Sequence, residues 1–176
     1  MKKLSLVILL FVLTIFITGC GSQPSVPKVE TTEKFQLGNV TLILNEKVKT
    51  DIVYHTQSEL EQLLNDMIVK GLTKKELLST DSTMNILKID VVYKRRFVAD
   101  ETPFPSDSLA YPFIDYKINI MDDTKLLTEI NQEDLTYKGG FTMNLQVIAG
   151  TLRDKKYELE FIQAVANKIV DDIAKL

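Results

Sequence analysis

Apolar and polar residues alternate with a period of two in several stretches of the chain. The clearest alternations cover residues 40–45, 84–98 and 114–120. Each predicts a β-strand, because successive side chains of a strand point to opposite faces of the sheet. The pair Asp122-Asp123 predicts a turn into a fourth strand, from near Lys125 to about Tyr137. Residues 138–140, Lys-Gly-Gly, would end that strand.

Two other segments space their apolar residues by three and four, which is typical of amphipathic helices. The first has a capping-box pattern at Ser58 and Glu61, and we expect Gly71 to end it. Its apolar stripe is Leu60, Leu63, Leu64, Met67 and Ile68. The second helix closes the chain, with Asp154 as its expected cap. Its stripe is Leu159, Phe161, Ile162, Val165, Ala166, Ile169, Val170 and Ile173.

The predicted order is therefore β-α-β-β-β-α, an α+β fold. One helix-bearing face on a mostly antiparallel four-stranded sheet would cover the apolar side of the strands and both helical stripes together. Residues 141–152 fit this scheme poorly, and a short helix is one interpretation of their apolar spacing. We expect a single domain over residues 34–176.

The amino-terminal segment has a different character. Lys2 and Lys3 precede 14 uncharged residues, positions 4–17. As a helix this run would span ~21 Å, which is short of the ~30 Å core of a bilayer. A positive start, a short apolar run and small residues at its exit are typical of an export signal. The exit reads Ile17-Thr18-Gly19-Cys20.

This exit resembles the lipobox of bacterial lipoprotein precursors. The resemblance implies that the thiol of Cys20 receives a diacylglycerol and that cleavage falls before Cys20. Residues 1–19 would then be the signal peptide, and 20–33 a lipidated, flexible tether. Gly21, where an inner-membrane retention mark would be Asp, implies the periplasmic side of the outer membrane in a Gram-negative cell. In other cells the lipid on Cys20 would hold the protein to the outer face of the cell membrane. The alternatives are an ordinary secretory signal or an uncleaved anchor.

Composition narrows the function classes. From Cys20 onward the chain carries 19 Lys and Arg against 24 Asp and Glu, a net charge of −5. This balance argues against nucleic acid as a partner and against an electrostatic membrane patch. Cys20 is the only cysteine, so the chain alone cannot form a disulfide or a cysteine metal site.

Catalytic motifs are missing from the sequence. His55 is the only histidine, and no nucleophile elbow, phosphate-binding loop or zinc-protease motif occurs. A single histidine before a helix is more often a packing residue than a catalyst. The acidic pairs are typical of turns and solvated helix edges. We therefore expect no enzyme activity and no cofactor.

One stretch is a candidate binding region. Lys94, Arg95 and Arg96 precede Phe97, and Phe104 follows between two prolines. Several cations beside an aromatic ring suit an anionic glycolipid or a phosphate head group, and an exposed Phe104 would suit protein docking. Strand alternation places Arg95 on the core face. The plainer interpretation, which we favour, leaves the three cations at the strand end in water, opposite Asp100 and Glu101.

The element order behind a lipobox resembles small outer-membrane lipoproteins that assist assembly, such as the lipopolysaccharide-assembly lipoprotein. It is also similar to folds akin to the amino-terminal domain of the Tol-Pal β-propeller protein. The resemblance implies a non-catalytic interaction or assembly module at the cell envelope. It would be held to the membrane by the lipid on Cys20, with an envelope protein as candidate partner. The alternatives are a binder of an amphipathic or anionic envelope ligand, gripped between helices and sheet, and a hydrolase, for which no motif is present.

Overall fold

The computed structural model describes residues 31–137 and 139–176. The strands are β1 (Phe35–Glu46), β2 (Asn85–Phe97), β3 (Leu109–Asp122) and β4 (Lys125–Thr136). The helices are α1 (Gln57–Lys74), α2 (Phe141–Ile148) and α3 (Lys156–Ile173). The order is β-α-β-β-β-α-α, which confirms the predicted α+β class. The segment left open by the sequence contributes the additional helix α2.

The four strands form one mixed sheet in the order β1-β2-β3-β4. β1 pairs with β2 in parallel, and the other two pairings are antiparallel. A parallel pairing needs a crossover long enough to return the chain to the same end of the sheet, and α1 lies in that crossover. The tight turn after Asp122 places β4 beside β3, as the sequence predicted.

The core lies between one face of the sheet and the helices. In β2 the alternating residues Leu87, Ile89, Val91, Tyr93 and Phe97 are buried. Leu60, Leu64, Ile68 and Leu72 of α1 pack against this layer together with the apolar stripe of α3. The intervening residues of β2, Lys88 and Asp90 among them, lie on the other face of the sheet, which is polar.

Both ends of α1 differ from the prediction. Thr56 is the N-cap, and it forms a capping box with Glu59 rather than Ser58 with Glu61. The helix also continues past Gly71, because the next turn buries Leu72 completely. Gly71 instead lies where α1 meets α3. A Cβ atom there would stand 2.8 Å from Cγ2 of Val170.

The stripe of α3 differs from the prediction at its first turn. Leu159 is partly exposed, and Glu158 is the residue that is completely buried there. The N-cap of α3 is Lys155, which makes no side-chain cap hydrogen bond, so the predicted cap Asp154 is misplaced by one residue. The carboxylate of Asp154 accepts a hydrogen bond from the backbone N of Lys156 at 2.8 Å. The other predicted stripe residues of α3 are buried.

Contacts with the sheet extend to Thr32, two residues before the predicted boundary at residue 34. The backbone N of Thr32 donates to Oδ1 of Asn85 at 2.9 Å. In return, the backbone N of Asn85 donates to Oγ1 of Thr32 at 3.3 Å. The expected signal peptide and Cys20 lie outside the described residues.

Candidate functional site

Lys94 and Arg96 lie on the polar face of the sheet, beside a groove of ≈ 720 Å³. Nζ of Lys94 is 2.7 Å from Asp115 and 3.1 Å from Asp134. These carboxylates hold the pKa of Lys94 above its ordinary value, mainly through the hydrogen bond to Asp115. Lys94 is therefore already paired with two acidic side chains.

The guanidinium of Arg96 forms a bidentate pair with Asp100 and lies 3.1 Å from Glu101. It also stacks over the ring of Phe113 at 4.9 Å. The hydrogen bond from Arg96 lowers the pKa of the Asp100 carboxyl. This is the arrangement that the plainer interpretation of the sequence expects for Arg96. An anionic ligand in the groove would have to compete with Asp100 for the guanidinium.

Arg95 borders the same groove, but its guanidinium is used on the other side of the sheet. Its side chain points into the core, as strand alternation predicts, and only 6% of the residue is exposed. Its Nε donates to Oε1 of Glu158 at 2.8 Å and Nη2 to Oε2 at 3.1 Å. Nη1 donates to Glu46, and Nη2 also donates to the backbone oxygen of His55. The favoured interpretation, which left all three cations in water, is therefore wrong for Arg95, because its donors are used inside the fold.

His55 belongs to the same buried cluster. Its backbone N donates to Oε2 of Glu158 at 3.0 Å, and its ring Nδ1 lies 3.1 Å from the same oxygen. Burial next to Glu158 raises the pKa of the Tyr93 phenol well above its ordinary value. The cluster ties β2, α3 and the segment before α1 together. Its geometry is that of a satisfied structural network.

The sequence analysis missed Glu158, although a signal for it was present. Glu158 precedes Phe161 and Ile162 by three and four residues, so the helical period places it on the core side. Arg95 occupies a core position of β2 by the period of a strand. Two opposite charges on core faces are expected to meet, since a buried charge needs a partner.

Phe104 is exposed to 89%, as the docking hypothesis expects. It lies in the loop between β2 and β3. Val53, in the loop after β1, is 83% exposed, and Phe141 and Ile148 of α2 are 79% and 80% exposed. Leu145 of α2 is half-exposed. We call these five residues the apolar end.

The connections place the apolar end at one end of the sheet. β1, β2 and β4 finish there and β3 begins there. The Tyr54 hydroxyl lies 2.6 Å from the backbone oxygen of Asp107 and 3.2 Å from that of Leu152. This hydroxyl therefore joins the loop after β1 to the loop before β3 and to the segment after α2.

A metal site and a membrane span are both missing from the part of the chain that the structure describes. Within residues 31–137 and 139–176, no cluster of three or more His, Cys, Asp and Glu side chains is arranged to hold a metal ion. None of the helices described for these residues is both long and apolar enough to cross a membrane.

Comparisons with known proteins give distant similarities only. No family model matches the chain, and no curated protein matches it. A minor lipoprotein from Acinetobacter baumannii aligns over 81% of this chain and 94% of its own, at 15% identity and a TM-score of 0.40. A DUF330 protein from Xanthomonas campestris aligns over 84% of this chain and 86% of its own, at 14% identity and a TM-score of 0.42. Similarity this low carries no conclusion about function.

Proposed function

We propose that this chain is a cell-envelope lipoprotein, anchored through Cys20, whose folded part is a non-catalytic interaction module. The anchoring is supported by the uncharged run at residues 4–17 and the lipobox-like exit that ends at Cys20. A single myristoyl-sized chain binds a membrane only marginally, whereas two or three chains bind stably. In a Gram-negative cell the absence of Asp at position 21 favours the outer membrane.

The apolar end is the main observation that supports an interaction role for the folded part. Its five side chains are at least half-exposed, and large apolar side chains exposed at the same end of a fold are a candidate protein-docking surface. The segment 139–152, which contains α2, has no charged residue in a chain with 26% charged residues. An exposed, uncharged apolar helix fits an apolar groove on a protein partner.

The chain enters the domain at one end of the sheet and the apolar end lies at the other, which supports a partner on the side away from the anchoring membrane. Thr32 bonds to Asn85 at the start of β2, whereas the apolar end lies where β2 finishes. The 13 residues of β2 extend ~43 Å at ~3.3 Å per residue. The segment from Cys20 to Thr32 reaches at most ~43–47 Å when fully extended, which is about the length of β2. A domain that stands on this tether would present its apolar end away from its own membrane.

Crosslinking in cells tests the proposal. A photo-crosslinking amino acid at Ile148 should give a discrete adduct, and the same amino acid at Ile43, exposed on the polar face of the sheet, should not. The adduct at Ile148 should be lost in the Phe141→Ser variant. Equal adducts at Ile148 and Ile43, or none at Ile148, would contradict docking through the apolar end.

Anchoring needs a separate measurement. Cys20→Ser should abolish incorporation of a radiolabelled fatty acid and leave the precursor uncleaved. Label retained by this variant would contradict anchoring through Cys20, whatever the crosslinking shows.

A second candidate function is the binding of an amphipathic ligand between helices and sheet. The observation that favours it is a crevice beside β4, lined by Leu135, Tyr137 and Ala164 among others.

A further inference from the structure

The inner face of β4 is covered less completely than that of β2, whose inward-pointing side chains are buried. Leu127, Ile130 and Leu135 of β4 are therefore only partly buried, although they belong to the core side. The edge of the core between α3 and β4 is consequently open to solvent.

A crevice of ≈ 260 Å³ lies at this opening. Its walls are mostly apolar: Ile114, Leu135, Thr136, Tyr137, Ala164, Val165 and Lys168. A neighbouring depression of ≈ 370 Å³ shares Tyr137 and Ala164 and extends to Met67 and Leu159. The crevice alone is slightly smaller than the ~300–1,000 Å³ of ordinary ligand pockets, and the two shared residues make the depression its open continuation.

The lining favours a hydrocarbon chain over a peptide. A peptide brings backbone N–H and C=O groups that must find partners when they lose water. The crevice offers few polar side chains, chiefly Thr136 and Lys168. A hydrocarbon chain needs no hydrogen bonds, and each buried CH₂ group contributes ~0.8 kcal/mol.

The charged side chains at one mouth of the crevice indicate that the head group of a bound ligand would be negatively charged. Lys168 and Lys175 both pair with Asp172, which also accepts a hydrogen bond from the hydroxyl of Tyr116. Two ammonium groups thus share one carboxylate. If Lys168 turns towards a ligand, Asp172 keeps Lys175 at 2.9 Å and the Tyr116 hydroxyl. The other depression carries Glu160, which disfavours an anion there.

We propose that the crevice between α3 and β4 binds the chain of a single-chain anionic amphiphile, with its head group at Lys168. A free fatty acid and a lysophospholipid share this chemistry. The proposal rests on the second candidate function and is independent of docking through the apolar end.

A photoreactive fatty acid with a diazirine near the end of its chain provides the test. It is added to membranes that contain the full chain, and the labelled residues are mapped after digestion. Labelling is expected at Leu135, Tyr137 or Ala164. Ala164→Phe, which fills the crevice, should reduce this labelling at least tenfold. Ala174→Phe, on the exposed end of the same helix, should not change it.

Competition and a second pair of variants complete the test. Unlabelled palmitic acid and lysophosphatidylglycerol are compared as competitors, and the stronger one identifies the source of the chain. In the Lys168→Gln variant, the competitor concentration that halves the labelling should be about 5- to 10-fold higher. Ala164→Met is used in place of Ala164→Phe if the latter lowers the melting temperature. Labelling confined to Phe104 or α2, or unchanged in the filled variants, would overturn the crevice site while leaving the apolar end intact as a docking surface.

Discussion

Glu158 shows how one side chain can join three parts of the fold. Its carboxylate is completely buried and takes hydrogen bonds from the guanidinium of Arg95 and the backbone of His55. A buried carboxylate without such partners would be strongly destabilising. Because Arg95 and Glu158 are both inside, the removal of either leaves the other without its main counter-charge.

We therefore expect Glu158→Gln to lower the free energy of unfolding by about 3 kcal/mol. Glu46→Gln is the matched control, because the Glu46 side chain is 35% exposed and its loss leaves Glu158 in place. It should cost less than about 1 kcal/mol. Urea denaturation followed by circular dichroism measures both. Equal losses for the two variants would show that the network depends on Glu46 as much as on Glu158.

We expect Asp172 to make the stability of the folded protein sensitive to acid. Burial alone would raise the pKa of its carboxyl, but the hydrogen bonds from Lys168, Tyr116 and Lys175 outweigh this and lower it to about 2. A carboxyl with a lowered pKa in the folded state stabilises the protein above pH ~4 and loses that contribution as the pH falls towards 2. Asp172→Asn should therefore be less stable than the wild type at pH 6, and the difference should shrink by pH 2. A difference independent of pH would contradict this assignment.

At the scale of elements, the contact between α1 and α3 depends on Gly71. A Cβ atom at residue 71 would lie 2.8 Å from Cγ2 of Val170 and 3.3 Å from its Cγ1. Valine cannot turn away easily, because its χ1 angle is restricted in a helix. The two helices therefore approach each other closely at this residue.

Gly71→Ala should accordingly destabilise the fold by about 1–2 kcal/mol, even though alanine is the better helix former by ~1 kcal/mol. In a Val170→Ala background the clash is absent, so the same substitution should be neutral or stabilising. A double-mutant cycle measured by urea denaturation gives the coupling. Zero coupling would show that the helices adjust without cost.

The sequence predicted the elements better than their ends and contacts. The strands were predictable because β2 and β3 each alternate over a long stretch. The cap of α1 was misplaced because Thr56–Glu59 and Ser58–Glu61 both satisfy the capping-box spacing. Only the tertiary burial of α1 selects Thr56. Gly71 was interpreted as a stop for a related reason, since its role depends on a neighbour 99 positions along the chain, Val170.

The candidate site was also predictable only in part, because local patterns show where a side chain points but not which distant residue it contacts. Lys94, Arg96 and Phe104 lie near the surface as local alternation and the proline loop suggest. The partners of Arg95, however, come from β1, α3 and the segment before α1. The apolar end likewise combines two loops and α2. Such juxtapositions follow from strand order, which no local pattern specifies.

At the scale of the whole molecule, the two ends of the sheet differ in character. The chain enters at one end through the paired hydrogen bonds of Thr32 and Asn85. The other end carries the exposed apolar side chains of the apolar end. An anchored module with this layout separates the point of attachment from the surface that meets a partner.

The point of entry gives a prediction about where the folded part begins. Asn85 is 7% exposed, so the loss of Thr32 would leave its Oδ1 without this donor in a largely buried position. A fragment from Thr31 to Leu176 should unfold in one cooperative transition. A fragment from Lys34 should be less stable by about 1–2 kcal/mol, the cost of an unsatisfied buried polar group.

The Thr32→Ala variant of the longer fragment distinguishes the side chain from the backbone. It removes the bond accepted by Oγ1 but keeps the backbone donor to Asn85, so its loss should be smaller than that of the shorter fragment. Urea denaturation with circular dichroism and tyrosine fluorescence measures all three, because coincident transitions establish two-state unfolding. If the fragments from Thr31 and Lys34 are equally stable, the folded part begins at residue 34 and the Thr32 contacts contribute nothing. A transition that is not cooperative in either fragment would instead mean that the core needs a further segment or a partner to be complete.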